Sequence, residues 1–348
     1  MRIAHIMAGA RDGGAELFYE RMCVAQAGAG ETVLPVIRSE PARAARLAAA
    51  GLEPVGLRFG GPLDLLTRPR IARTLRAFRP DIAMTWMSRA SMHAPRGPWV
   101  LVGRLGGYYD PKYFRACNHL VGNTHGIVAW LRARGIAESR THYLPNFVDD
   151  CAGTAPAGRG SLGIPADAPM LLGLGRLHRD KGFDIALRAL ARLPGAHLAI
   201  AGSGPEEAAL RSLAASLGVA GRAHFLGWRR DAGALLAACD VFLCSSRGEP
   251  LGNMVLEAWS ARRPVVALAA LGPAELIAAD ETGILVPLED EAALAAALAR
   301  VLAGRDLAQR LAAAGRERYE RDFMQAPVLA AWRRLFEQLI AERKGTPR

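Results

Sequence analysis

Lysine is almost missing from this chain of 348 residues: only Lys112, Lys181 and Lys344 stand among 44 basic side chains. A basic position is therefore arginine unless something favours a compact ammonium, which singles out Lys181. Long apolar runs are missing too. The longest, near 264–274 and 292–299, fall short of the roughly 18 residues a spanning helix needs and end at charges or turn residues, which excludes an integral membrane protein. The first residues, MRIAHIMAGARDGGAE, lack the apolar core and cleavage signature of an export signal, so the expected location is the cytosol. Cysteine is sparse. Cys23, Cys117, Cys151, Cys239 and Cys244 are odd in number and include no C-x-x-C pair, which argues for reduced thiols and against a disulfide frame or a zinc site. Aromatic residues make up 6% of the chain, too few to interleave with cations as in nucleic-acid grooves, and no nucleic-acid motif appears, so no nucleic-acid partner is expected.

What is present is a globular composition, 51% hydrophobic and 22% charged, with a length that suggests two domains. The net charge is +11 and uneven: residues 1–150 hold 20 basic and 12 acidic side chains, the remainder 24 and 21. The first half faces something anionic, whether a phosphorylated substrate, a membrane surface or nucleic acid. The charge alone keeps open a non-catalytic anion- or nucleic-acid-binding protein, for which a salt-sensitive gel shift is the discriminating observation.

Short apolar runs alternate with helical patterns. Strands are expected over 2–7, 32–37, 81–86 and 99–102, then over 170–174, 197–201, 224–225, 241–244 and 265–268, with helices between them. Strand–helix units joined by short loops imply a parallel sheet covered by helices, here formed twice. The fold class is therefore α/β, two doubly wound Rossmann-like domains facing across a cleft. The Gly-, Ala- and Pro-rich stretch CAGTAPAGRGSLGIPADAP reads as the connection between them. The expected division is 1–160, 161–322 and a final helix over 323–348. Ligands of such sheets sit outside the carboxyl ends of the strands, so the loops there are the candidates for chemistry.

After the first strand, Gly13 and Gly14 precede a helix and could admit an anion to its N-terminus, or form a plain turn. In GLGRLHRDKGFD, Gly175 is followed by Arg176 and Lys181, a guanidinium and an ammonium in one loop that suit a diphosphate; two cations on a solvated loop is the plainer alternative. In IAGSGPEE, Gly204 could admit a nucleotide, though packing explains it more simply. The densest constellation is SSRGEPLGNMVLEAWSARRPVV. Glu249 lies in a loop, Glu257 follows eight positions later inside a helix, and Leu251, Gly252 and Asn253 open that helix, so an anion site is flanked by two carboxylates. Acidic groups beside a phosphate site are tolerated where they accept hydrogen bonds from hydroxyls, as on a sugar.

GGAE, YLPNFVD over 143–149, GRLHRDKGFD, AGSGPEE, FLGW ending at Trp228, and EPLGNMVLEA resemble, in this order and across nearly the whole chain, the family 4 (group 1) glycosyltransferases of the GT-B fold, closest to bacterial lipopolysaccharide and cell-envelope members. The resemblance implies retaining transfer of a sugar from a nucleotide diphosphate sugar to a glycan or glycolipid acceptor, with no metal and no cofactor beyond that co-substrate. It implies that Arg176 and Lys181 hold the diphosphate, that Glu249 contacts the sugar, and that Glu257 binds the ribose. Backbone near Trp228 would meet the base, Leu251, Gly252 and Asn253 the phosphates or sugar, and Gly13 and Gly14 the phosphates and acceptor. It also implies a final helix, PVLAAWRRLFEQLIAER, crossing back to the first domain. A sugar-nucleotide epimerase of the same shape is the alternative, distinguished by needing no acceptor.

The sequence departs from the family where many relatives carry a first-domain His: VGRLGGYYD offers Arg104, with His93 and His125 as substitutes elsewhere. The absence of an Asp-x-Asp pair agrees with a metal-free site. Arg70, Arg73 and Arg76 recur opposite Ile71, Leu75 and Phe78, an amphipathic basic helix that could reach an anionic membrane surface on the inner face of the cytoplasmic membrane or simply be a solvated face.

Overall fold

The computed structural model describes residues 1–348 except 12, 61–63 and 346–348. Two compact units emerge, Met1–Phe147 with Gln325–Arg348, and Val148–Met324. The first holds seven parallel strands: β1 (Arg2–Met7), β2 (Thr32–Arg38), β3 (Val55–Leu57), β4 (Ile82–Trp86), β5 (Val100–Leu105), β6 (His119–Gly122) and β7 (Thr141–Tyr143). They lie in the order β3-β2-β1-β4-β5-β6-β7. The second unit holds six, β8 (Met170–Leu174), β9 (His197–Ala201), β10 (Ala223–Phe225), β11 (Val241–Cys244), β12 (Val265–Leu268) and β13 (Ile284–Val286), in the order β10-β9-β8-β11-β12-β13.

Helices cover both faces of each sheet, so the central strands read as unbroken apolar runs: IAMTW, VFLC and VVAL are wholly buried. In each sheet the strand order reverses once, between β1 and β4 and between β8 and β11. At such a point the loops leaving two neighbouring strands turn in opposite directions and leave a crevice.

Several elements differ from expectation. β5 runs to Leu105 rather than ending at 102, which carries Arg104 into the strand. β3, β6, β7 and β13 have three or four residues each, too short for a period to show, and they exist because an existing strand edge offers them hydrogen bonds. The break between units falls after Phe147, not at 160. Residues 148–160 are bound to the second unit: Tyr319 Oη donates to the Val148 carbonyl (3.1 Å), Arg316 grips the Asp150 carboxylate through Nη2 (2.8 Å) and Nη1, and Ala157 N–H donates to the Ala234 carbonyl (2.9 Å). The Gly- and Pro-rich stretch is thus strapped down rather than free.

The helix Gln325–Gly345 belongs to the first unit, where Val328, Trp332, Phe336 and Leu339 share a core with Phe18, Met22 and Trp86. The basic helix spans Thr67–Phe78; Ile71 and Leu75 are buried, while Arg70, Arg73 and Arg76 are exposed.

Candidate active site

In the second unit, two loops leave the carboxyl ends of the neighbouring strands β8 and β11 at the switch point, and they hold Arg176, Lys181 and Glu249, the residues singled out in the sequence. Lys181 closes a short 3-10 turn, Arg179–Lys181, and its ammonium pairs with the Glu249 carboxylate. Both side chains are largely shielded from water, 21% and 12% exposed, so the contact is stronger than a surface ion pair.

The two loops are fastened to each other. Ser245 Oγ donates to the Lys181 carbonyl (2.9 Å), and the Arg247 N–H donates to the Asp180 carbonyl (2.8 Å). Gly182 stands at φ +60°, and a Cβ there would lie 2.0 Å from the Ser245 carbonyl oxygen, so no other residue permits this approach. The Arg247 guanidinium grips Asp184 at 2.6 and 2.7 Å and Glu289 at 2.5 and 2.9 Å, and donates to the Arg179 carbonyl at 3.1 Å. These hydrogen bonds to two carboxylates push the Arg247 pKa up. Asp184 is held below the usual carboxylate range: burial pushes it up, but the Arg247 fork and its positive charge outweigh that. Arg247 thus positions the segment that presents Glu249, a role that no motif in the sequence signalled; its partners lie 42 and 63 residues away in the chain.

The glycines sort by what crowds them. Gly175 leaves room for the Lys181 stem, whose Cε would lie 3.3 Å from an added Cβ. Gly204 packs on backbone, since a Cβ there would come 2.3 Å from the Leu177 carbonyl oxygen. Gly252, at φ +96°, is the N-cap of the helix Asn253–Ser260. Leu251 points inward at 5% exposed, which leaves only its backbone for a ligand. Glu257 is half-buried one turn into that helix, Trp228 is 58% exposed, and Arg176 is exposed with no partner among the described residues. The structure therefore brings Lys181 and Glu249 into direct contact and leaves Arg176 exposed in the same loop as Lys181.

In the first unit, Gly13 is the N-cap of the helix Gly14–Gly28 and is pressed against Glu16, whose Oε2 an added Cβ would meet at 2.4 Å. The Glu16 carboxylate accepts from the Ala10 N–H (2.8 Å) and so holds the loop after β1. His125 stacks on Tyr143 and His93 packs edge-on against Phe59. Arg104 is buried at the carboxyl end of β5. Among the described residues no group of three or more His, Cys, Asp or Glu side chains is placed to hold a metal ion, and no helix is long and apolar enough to cross a membrane.

Two doubly wound units, the second with a cation and a carboxylate paired between neighbouring loops at its switch point, have the architecture of the GT-B fold. The chain belongs to the group 1 glycosyl transferases, whose family model matches residues 156–318. Over 340 residues it is 34% identical to the lipopolysaccharide core biosynthesis glycosyltransferase LpsE of Rhizobium meliloti, covering 96% of this chain and 98% of that one. It is 33% identical over 349 residues to LpsD of the same organism, a protein of the same description, covering 99% and 100%. Among solved structures it is similar to Anabaena HepE in complex with UDP, with a TM-score of 0.82 over 97% of this chain and 100% of that one at 21% identity.

Proposed function

We propose that this glycosyltransferase moves a sugar from a nucleotide diphosphate sugar to a growing lipopolysaccharide core or similar envelope glycan, with retention of anomeric configuration and without a metal ion. The observation that carries the donor half of this reading is the Lys181–Glu249 pair at the switch point, with Arg176 exposed in the same loop as Lys181. The acceptor is inferred from the similarity to LpsE and LpsD over essentially the full chain.

The chemistry follows from the side chains. A bound diphosphate offers Lys181 and Arg176 more negative charge than Glu249 does, so donor binding draws the ammonium toward the phosphates. Glu249 is then free to accept hydrogen bonds from sugar hydroxyls. As the glycosidic bond breaks, charge grows on the departing diphosphate, and the two cations stabilise it more than they stabilise the intact donor; that difference lowers the barrier. Glu257, on the helix that Gly252 caps, takes the ribose hydroxyls, and backbone at Trp228 meets the base. The acceptor, and the phosphates near Gly13 and Gly14, are taken by the first unit. Its exposed Arg70, Arg73 and Arg76, with Leu65 and Leu66 exposed just before their helix, suit an anionic lipid surface and support a reading in which the enzyme works at the cytoplasmic face of a membrane.

A panel of nucleotide sugars screened for thermal stabilisation tests the donor, and transfer assays in excess chelator test the metal. Glu249→Ala should lower kcat strongly with a smaller effect on donor affinity, whereas Glu257→Ala should mainly raise donor KM and weaken nucleoside diphosphate binding. Near-normal kcat in the first variant, parental nucleotide binding in the second, or activity lost to chelator and restored by magnesium would overturn the corresponding part.

A further inference from the structure

Three arginines are buried among the described residues, and two have carboxylate partners. Arg43 donates to Glu20 (3.0 Å) and to the Ala10 and Arg11 carbonyls, and Arg316 to Asp150, Glu320 and the Ser260 carbonyl. Arg104 is different. At 1% exposed, it donates through Nη2 to Asn146 Oδ1, and its buried Nε has no partner. No carboxylate is paired with it among the described residues.

Its guanidinium carbon lies 4.8 Å from the Phe18 ring centroid and 4.6 Å from that of Trp86, the residue beside it in register on β4. The rings hold the flat of the guanidinium, and each desolvated contact contributes about 2 kcal/mol or more. That offsets part of the several kcal/mol that removing an unpaired charge from water costs, but it leaves the buried Nε without a hydrogen-bond partner. Burial lowers the Arg104 pKa to about 9, which leaves it charged at neutral pH. Rings also leave unused the N–H edge, the part of a guanidinium that recognises oxyanions through paired hydrogen bonds.

Gly106, the residue following β5, lies against that edge: a Cβ there would sit 3.3 Å from Arg104 Nη1, so any larger residue would crowd the guanidinium. The site is also at the carboxyl end of the first sheet, on the strand next to the β1/β4 switch point, where ligands of doubly wound sheets bind.

We propose that Arg104 is a binding residue for an oxyanion, a phosphate or a carboxylate borne by the substrate that the first unit takes, held on the free edge of the guanidinium. This rests on the reading of the first unit as the acceptor side of a glycosyltransferase. The acceptor then carries a negative group close to the hydroxyl that receives the sugar, and uncharged glycans are poor acceptors.

The test uses the full chain, saturated with UDP so that the donor cations are occupied, and titrates inorganic phosphate and acetate separately while following the melting temperature. The parent should be stabilised saturably by at least one of them, phosphate or acetate indicating which group the acceptor carries. Arg104→Met, which keeps the stem between the rings but removes the charge, should melt no lower than the parent without anion and should need at least about tenfold more anion for the same shift. Arg104→Lys should recover part of the response. An unchanged anion response in Arg104→Met, or no response in the parent, overturns the proposal, as does a variant that melts well below the parent yet keeps the response, which would make Arg104 a packing residue. A parent that fails to respond to UDP is titrated instead in the presence of the nucleoside diphosphate whose sugar derivative stabilises it in the donor panel, no response to any of them counting against the donor reading, and the comparison of Arg104→Met with the parent decides the role of Arg104 in each case.

Discussion

Arg247→Met removes a fork that ties two carboxylates and a carbonyl to the loop carrying Glu249. The contact with Glu289 is worth little, because that carboxylate is 58% exposed and screened by water, about 0.5 kcal/mol or less. The contact with Asp184 is worth more. Asp184 is 33% exposed and accepts two short charge-assisted bonds, of the kind that contribute about 1.5 to 3 kcal/mol. The variant should therefore lose about 2 kcal/mol, or roughly 4 to 8 °C in the melting of a unit of this size. Arg247→Lys keeps the charge but cannot fork to Asp184 and reach Glu289 together, so it should recover less than about half.

The loss has a pH signature. The folded pKa of Asp184 lies below its ordinary value, so the stabilisation is fully present above the unfolded pKa of about 3.9 and fades as pH falls through the folded one. The gap between parent and variant should be full near pH 7 and shrink below about pH 4. Because Arg247 holds the segment that presents Glu249, kcat should fall more than nucleotide affinity. Denaturant titration at the two pH values and steady-state kinetics read these quantities. A loss below about 0.5 kcal/mol near neutral pH, or a gap unchanged in acid, would refute the reasoning.

Three other perturbations test separate links. His5 is fully buried, with Nε2 against Gln26 (2.6 Å) and Nδ1 accepting from Trp86 Nε1 (3.2 Å), and burial pushes its pKa down to about 4. That depressed value means stability is lost as pH falls from about 6.5 to about 4, on the order of 3 kcal/mol; His5→Gln should flatten the melting profile over that window, and an unaltered slope would contradict it. Gly204→Ala should lower the melting temperature by several degrees, because its Cβ would strike the Leu177 carbonyl at 2.3 Å; a parental melting curve with weakened nucleotide binding would instead make Gly204 a ligand contact. Changing Arg70, Arg73 and Arg76 to Gln should weaken sedimentation with phosphatidylserine vesicles about a hundredfold, at about 1 kcal/mol per cation, with donor affinity intact; unchanged sedimentation would reduce that helix to a solvated face.

Local information was enough for much of this protein. Each long central strand is an apolar run bounded by turn residues, and the cations and carboxylates of the candidate loops sit beside glycines that mark strand ends, so the two parallel sheets and those loops were legible from neighbouring residues, while the donor roles proposed for their side chains came from the resemblance to a family. Tertiary structure decided what depends on distant partners. The strands β3, β6, β7 and β13 form only where a sheet edge already waits. The segment after Phe147 reads as a linker by composition, yet Asp150 is captured by an arginine 166 residues later. Lys181 and Glu249, 68 residues apart, become one pair only because β8 and β11 are neighbours. Arg104 stands out in the sequence only by its place near a family's usual His, and what distinguishes it physically, burial between two rings with part of its N–H edge unused, is a property of packing that no local pattern encodes.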